Sequence, residues 1–235
     1  MELMFLGLRK IEGEIRLWNG LKIFVHSRND LNVMDEIYIK KVYDQKPLVV
    51  AQGGVIVDVG AHVGMFAFYA VKRWKAKKVV CFEPCPENYA RLVRNIQNNN
   101  LTDIITADPQ AISEQTEERS LHIYPGNDQC HSLYGTDEGE MVRVQCVTLK
   151  QALEMNHISH VDYLKLDCEG PEWEILKSLD VETLAKIDVI GMEIHERPRM
   201  EFVGLVKQLG FTIFESEDKW RDNMILGAKN KILAR

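Results

Sequence analysis

The feature that most constrains the fold is a regular alternation of short apolar runs and helix-spaced segments that begins at Val55. The run Val55–Val59 is nearly all apolar, which is typical of a strand buried on both faces of a sheet. Repeated strand-helix alternation predicts an α/β fold with a mostly parallel sheet, helices on both faces and right-handed crossovers. Further strands are expected at residues 79–82, 104–106, 161–166, 189–194, 211–214 and 224–228, and helices at 65–73, 86–98, 170–179 and 198–209.

Two segments stand apart from this alternation. Residues 15–27 predict a hairpin around the Asn19-Gly20 turn, and residues 31–43 have helical apolar spacing. We therefore expect residues 1–53 to form a cap packed on a main domain of residues 54–235. Residues 119–124 and 141–147 predict a strand pair joined by a polar loop that contains glycines at 126, 135 and 139. That loop is either a lid over a substrate or a solvated connection.

Charge and composition exclude several classes of function. The chain of 235 residues carries a net charge of −6, which argues against nucleic acid as a partner and against a polybasic membrane contact. No run reaches the roughly 18 apolar residues of a membrane span, and the N-terminus lacks the pattern of a signal peptide. The five cysteines are odd in number and form no C-x-x-C pair, so we expect reduced thiols in the cytoplasm.

A glycine-containing loop follows the first strand of the main domain, with the sequence Asp58-Val59-Gly60-Ala61-His62-Val63-Gly64. Open α/β sheets bind their ligands where a strand passes into a helix in this way. Gly60 permits a tight turn, Gly64 permits close approach of a ligand or helix, and Asp58, Ala61 and His62 complete the expected binding segment. The spacing is neither that of a dinucleotide fold nor that of a phosphate loop, and strand-to-helix glycines often serve packing alone.

An acidic residue ends the second strand. Glu83 lies 23 residues after Gly60, where a carboxylate can accept hydrogen bonds from a ribose diol. The two motifs together predict an adenosine-type ligand without a phosphate anchor, a description that S-adenosylmethionine fits. The segment after the third strand, with Asp108, Gln110 and Ala111, should pass along the adenine edge. Either Asp108 or Gln110 could accept a hydrogen bond from the exocyclic amine of the adenine.

Polar residues also follow the fourth and fifth strands. Asp167 and Glu169 end the fourth, and His195 ends the fifth, so the three side chains should face one cleft beside the cofactor. They could bind and orient a methyl acceptor or take up its proton, and we favour positioning for His195. Glu172 is interpreted as a first-turn helix acid. Asp167, Glu193 and His195 could instead hold a metal ion, but nothing in the sequence requires one and no metal is expected.

Taken in order, these motifs resemble the FkbM-type methyltransferase family over about residues 31–215. The resemblance implies a Rossmann-like class I methyltransferase fold with a seven-stranded sheet, S-adenosylmethionine as cofactor, and O-methylation of a small molecule, sugar or polyketide-like metabolite. The family more often has asparagine in place of His62 and alanine in place of Pro171. The matching residues are 57–64, Phe82-Glu83-Pro84 with Asn88, Ala111-Ile112-Ser113, Ser132-Leu133, Val147-Thr148-Leu149 and 162–173.

Four functions remain in competition at this stage. The first is methylation of a small-molecule hydroxyl, and the second is methylation of a glycan, protein or RNA. The third is a non-catalytic module that binds S-adenosylmethionine, against which the acidic and histidine residues at the cleft argue. The fourth is a nicotinamide-dependent oxidoreductase, against which the absence of the third glycine of the dinucleotide-binding motif argues. The identity of the acceptor and the formation of a homodimer stay open.

Overall fold

The computed structural model has the strand-helix order expected from the sequence. It describes residues 12–46, 48–124, 131–134, 140–195, 197–214 and 223–229. The strands are β1 (Gly13–Arg16), β2 (Lys22–Val25), β3 (Val55–Val59), β4 (Lys78–Phe82), β5 (Ile105–Asp108), β6 (Ala111–Ser113), β7 (Glu117–Ile123), β8 (Glu140–Thr148), β9 (Tyr163–Leu166), β10 (Val189–Glu193), β11 (Phe211–Phe214) and β12 (Met224–Lys229). The helices are α1 (Arg28–Met34), continued by a π-helix (Asp35–Lys40), α2 (Met65–Arg73), α3 (Pro86–Asn98), α4 (Leu149–Met155), α5 (Glu172–Ser178), α6 (Val181–Ala185) and α7 (Arg199–Gln208).

A seven-stranded sheet with the order β11-β12-β10-β9-β3-β4-β5 forms the centre of the molecule. β12 runs antiparallel to both its neighbours, and the other pairs are parallel. The chain moves outward from β3 through β4 to β5 and then returns to β9 on the other side of β3. This reversal creates a crevice at the carboxyl ends of β3 and β9, which is where sheets of this type bind ligands. The seven-stranded, mostly parallel sheet confirms the predicted fold class.

Both faces of this sheet are buried, which explains the nearly continuous apolar character of its strands. Side chains alternate between the two hydrophobic cores: Ile56 of β3 packs into one core, and Val57 and Val59 pack into the other. β4 alternates in the same way. The strands are thereby fixed in register, since a shift by one residue would exchange the two faces.

The helix α2 is apolar around its whole circumference, and its residues from Met65 to Val71 are all buried. Such a helix needs a cover on the side away from the sheet. The N-terminal segment supplies it through aromatic contacts: the ring of Tyr38 lies 5.3 Å from that of Tyr69, and the ring of Tyr43 lies 5.2 Å from that of Phe66. We call residues 12–46 the cap; its hairpin β1-β2 is as expected, and the domain boundary at residue 53 stays a prediction.

Three short elements were not predicted from the sequence. β6 pairs in parallel with β8, which also pairs antiparallel with β7, so the expected strand pair is part of a three-stranded sheet. α4 and α6 occupy the connections before β9 and β10. The glycines 126, 135 and 139 of the candidate lid lie outside the described residues. Within the described ranges, the helices are too short or too polar to cross a membrane.

Candidate active site

A cavity of about 390 Å³ opens at the carboxyl ends of β3, β4, β9 and β10. Eight of the twelve sequence-predicted site residues line it: Gly60, Ala61, His62, Glu83, Ala111, Asp167, Glu169 and His195. The cap closes another side of the cavity with Val33, Glu36, Ile37, Val42 and Tyr43. One cavity therefore joins the expected cofactor residues to the expected catalytic residues.

The loop after β3 is pressed against the end of β9. Gly60 has a φ of +75°, and a Cβ atom built on it would lie 1.7 Å from the carbonyl oxygen of Asp167. Only glycine fits there, because both the backbone conformation and the available space exclude a side chain. Gly64 (φ +93°) begins α2, where a Cβ atom would meet the side chains of Leu92 and Phe68. Gly64 thus allows the helix to pack closely, whereas Gly60 shapes the cavity wall.

Glu83 is held in place by backbone donors. Its side chain is buried, and its two carboxylate oxygens accept hydrogen bonds from the backbone N–H groups of His62 (2.7 Å) and Cys85 (2.9 Å). Burial raises the pKa of Glu83, and these donors oppose that effect. Each carboxylate oxygen has a second lone pair. The carboxylate is therefore fixed in orientation and still able to accept both hydroxyls of a diol from the cavity.

The segment after β5 turns beside this site. The carboxylate of Asp108 accepts the backbone N–H of Gln110 at 3.0 Å, and Ala111 lines the cavity. The amide oxygen of Gln110 is buried, and it has no hydrogen-bond partner among the described residues. The Asp108 carboxylate keeps further lone pairs, and neither Asp108 nor Gln110 is among the residues that line the cavity, so both stay candidates for the contact to the adenine amine.

A buried lysine connects the glycine loop to the catalytic strand. The ammonium of Lys165 lies 3.3 Å from the carboxylate of Asp58 and 3.2 Å from that of Asp167, and it donates to the carbonyl of Gly60 at 3.0 Å. Burial alone would lower the pKa of Lys165, but the two carboxylates raise it and keep the side chain charged. Asp58 is completely buried beneath the loop. Its contact to Lys165 places it as a support of the loop rather than on the cavity surface.

Tyr43 brings the cap into the same network. Its hydroxyl donates to the carboxylate of Asp167 at 2.9 Å, and its ring faces the Lys165 ammonium. Burial would raise the pKa of Asp167, but Lys165, His195 and the Tyr43 hydroxyl together lower it. Asp167 is therefore an ionised hydrogen-bond acceptor with a fixed orientation.

His195 lies between carboxylates on both sides of its ring. Its Nδ1 is 3.1 Å from Glu172, and its Nε2 is 3.4 Å from Glu169 and 4.0 Å from Glu193. Burial would lower the pKa of His195, but the hydrogen bond to Glu172 and the surrounding carboxylates raise it to about 9. The ring is thus an imidazolium at neutral pH, which suits the donation of a hydrogen bond better than the uptake of a proton.

The end of the cavity near His195 holds more carboxylates than cations. Burial and neighbouring negative charge raise the pKa values of Glu169 and Glu193 to about 7. Donor atoms of Asp167, Glu193 and His195 lie within 4.8 Å of one another, so the three residues of the metal alternative do converge. Lys165 and the His195 imidazolium already supply positive charge at this place.

Sequence reasoning missed several residues of the site. Lys165 carried a usable signal, because a lysine within a strand buried on both faces requires a charged partner. Glu172 is completely buried against His195, so it is more than a first-turn helix acid. Tyr43 and Glu36 come from the cap, and nothing in their local sequence connects them to the distant β9.

Comparison with known proteins identifies the family of this chain. The family model described as "Methyltransferase FkbM domain" matches residues 58–227, which is most of the chain. The chain belongs to the FkbM methyltransferase family. It is an S-adenosylmethionine-dependent methyltransferase, as the resemblance implied.

Named relatives cover most of this methyltransferase. Methyltransferase 1 of Beauveria bassiana is 25% identical over 88% of this chain and 92% of its own length. The 31-O-demethyl-FK506 methyltransferase FkbM of Streptomyces tacrolimicus is 23% identical over 87% of this chain and 90% of its own length. The crystal structure of an FkbM methyltransferase from Methylobacillus flagellatus has a similar fold, with a TM-score of 0.55 and 17% identity. That match covers 83% of this chain and 47% of the crystallised one.

The residues of this methyltransferase fit the cofactor. Glu83 would hold the ribose hydroxyls with its oriented carboxylate, and the segment of Asp108, Gln110 and Ala111 would lie along the adenine. The glycine loop packs directly against the end of β9 because Gly60 lacks a side chain. The cofactor contact of each of these residues stays a prediction.

Proposed function

We propose that this methyltransferase transfers a methyl group to a hydroxyl oxygen of a small molecule. The observation that carries the proposal is the single cavity that joins Glu83, at the cofactor end, to Asp167, Glu169 and His195 at the other end. An acceptor at the second end would face the cofactor at close range. Proximity and alignment of this kind supply a large share of the rate of a bimolecular transfer.

S-adenosylmethionine supplies an electrophilic methyl group, and the protein holds the two reactants. Asp167 is ionised and fixed by Lys165 and Tyr43, so it can accept a hydrogen bond from an acceptor hydroxyl. The His195 imidazolium can donate a hydrogen bond to a neighbouring oxygen of the acceptor. Together these two groups would fix which hydroxyl approaches the cofactor.

Methylation of a hydroxyl releases its proton, which a general base can take up. Glu169 lines the cavity, and burial raises its pKa to about 7. A carboxyl group titrating near neutral pH is suited to general base catalysis. We therefore assign proton uptake to Glu169 and acceptor positioning to His195 and Asp167.

Two further observations support oxygen as the acceptor atom and a small molecule as the substrate. The relative from Streptomyces tacrolimicus is named as a methyltransferase for 31-O-demethyl-FK506. The cap and the end of the sheet line the cavity, and the chain has a net charge of −6. A cavity lined by several carboxylates favours a small hydroxylated acceptor over RNA.

The test is a turnover assay with S-adenosylmethionine and a panel of hydroxylated metabolites, sugars and macrolide-type compounds, read by mass spectrometry. We expect an acceptor in the panel to gain the mass of one methyl group, with the new carbon bonded to oxygen. A matched set of glycans, peptides and RNA is assayed in parallel. Methylation confined to that second set, or to nitrogen or carbon atoms, would contradict the proposal.

A further inference from the structure

Glu172 has surroundings unlike those of an ordinary helix acid. It lies in the first turn of α5, where carboxylates are usually solvated and interact with the helix dipole. Here the side chain is completely buried and accepts three hydrogen bonds. Two come from the backbone N–H groups of Cys168 (2.8 Å) and Gly170 (3.0 Å), and the third comes from His195 Nδ1 (3.1 Å).

These contacts fix the role of each ring nitrogen. A carboxylate that accepts two backbone N–H groups is held in one orientation, and a second lone pair of its Oε1 atom faces His195. Nδ1 must then carry the hydrogen that bonds to Glu172. Nε2 is left on the opposite side of the ring, which is the side of the cavity, at 3.4 Å from Glu169.

We propose that Glu172 is a positioning residue for methyl transfer, which holds His195 through Nδ1 so that Nε2–H points at an oxygen of the acceptor next to the reacting hydroxyl. The same carboxylate fixes the backbone of residues 168–170, which joins Asp167 to Glu169. One buried side chain therefore sets the geometry of all three residues at the acceptor end of the cavity. The inference rests on the proposed function, because it assigns His195 the task of holding the acceptor.

The charged and titratable groups around His195 come from several elements. Glu172 approaches from α5, Glu193 from β10, and Asp167 and Glu169 from the segment after β9. Lys165 forms an ion pair with Asp167. The negative charge of Glu36, in the cap, helps to raise the pKa of Glu193. Of the carboxylates that flank the ring, Glu172 is the one that contacts Nδ1, at 3.1 Å. Its replacement should therefore change the pKa of His195 more than any other single substitution.

The experiment compares wild type, Glu172→Gln and the control Glu174→Gln. Glu174 lies in the same helical turn but is more exposed and pairs with Arg197 instead of His195. NMR of isotopically labelled histidine would follow the titration of His195 in each protein. In Glu172→Gln we expect the pKa of His195 to fall from about 9 by about one unit or more towards its ordinary value, with no change in the control.

Kinetics provide a second readout once an acceptor is known. Glu172→Gln should lower kcat roughly tenfold or more, and the alkaline limit of the pH–rate profile should move with the His195 titration. Affinity for S-adenosylhomocysteine should stay unchanged, because Glu83 and the glycine loop are untouched. The control should match wild type in each measurement.

An unchanged His195 titration in a folded Glu172→Gln protein would overturn the proposal and leave Glu172 as a support of the loop alone. If that variant does not fold, the nitrogen chemical shifts of wild-type His195 decide the matter. They should show Nδ1 protonated and hydrogen-bonded, and an unprotonated Nδ1 near neutral pH would overturn the proposal. The NMR result needs no acceptor, so it is independent of whether the proposed O-methylation is correct.

Discussion

Replacement of Gly60 by alanine tests the contact between the cofactor loop and the end of β9. The new Cβ atom would lie 1.7 Å from the Asp167 carbonyl oxygen, whereas real Cβ atoms almost never approach within 3.0 Å of another atom. Gly53→Ala is a matched control, because Gly53 has nearly the same φ (+73° against +75°) and nothing within 4 Å of its Cβ position. Left-handed backbone strain costs roughly 1–2 kcal/mol at either site.

The difference between the two variants isolates the clash. Overpacking typically adds about 1–3 kcal/mol, so Gly60→Ala should lose that much more unfolding free energy than Gly53→Ala. Urea denaturation measures the stabilities, and calorimetry with S-adenosylhomocysteine measures binding. We expect weakened binding for Gly60→Ala and wild-type binding for Gly53→Ala. Equal losses of stability with unchanged binding in both variants would refute the close packing of the loop against Asp167.

Three further predictions follow from the site. Glu83→Ala should weaken S-adenosylhomocysteine binding by roughly 1.5–3 kcal/mol, since it removes a charged acceptor of two hydroxyls, and unchanged calorimetric affinity would exclude the ribose contact. Lys165→Met should cost about 3–5 kcal/mol of stability in urea, because it leaves buried Asp58 without its cation, and a loss below 1 kcal/mol would contradict the ion pair. Because the pKa of His195 is raised to about 9, its stabilising effect is complete below pH 6.5 and disappears as the pH rises through 9. His195→Gln should therefore be less stable than wild type at pH 6 by on the order of 2 kcal/mol and nearly equal to it above pH 10, and a constant difference across that range would contradict the shift.

The sequence was a good guide to the fold because the strands that carry the site are buried on both faces and have simple apolar patterns. It also placed Asp167, Glu169 and His195 in one cleft, since parallel strands β9 and β10 end at the same edge of the sheet. The short elements β6, α4 and α6 were missed. Two of them, β6 and α6, have at most five residues, too few for a clear apolar period.

The parts of the site that could not be predicted depend on contacts between distant segments. Tyr43 reaches Asp167 across 124 residues of sequence, and no local pattern marks such a pair. Glu172 has the sequence position of a solvated helix acid, and it is buried because His195 and the loop after β9 close over it. Its neighbours in space, rather than those in sequence, decide its role.

The most direct test of the account is a crystal structure with S-adenosylhomocysteine bound. We predict that the ribose hydroxyls contact the Glu83 carboxylate and that the adenine lies along residues 108–111. The sulfur atom should be directed towards Asp167, Glu169 and His195, where the acceptor would sit. A ligand bound elsewhere, or one in this cavity with its sulfur directed away from these three residues, would contradict the proposed active site.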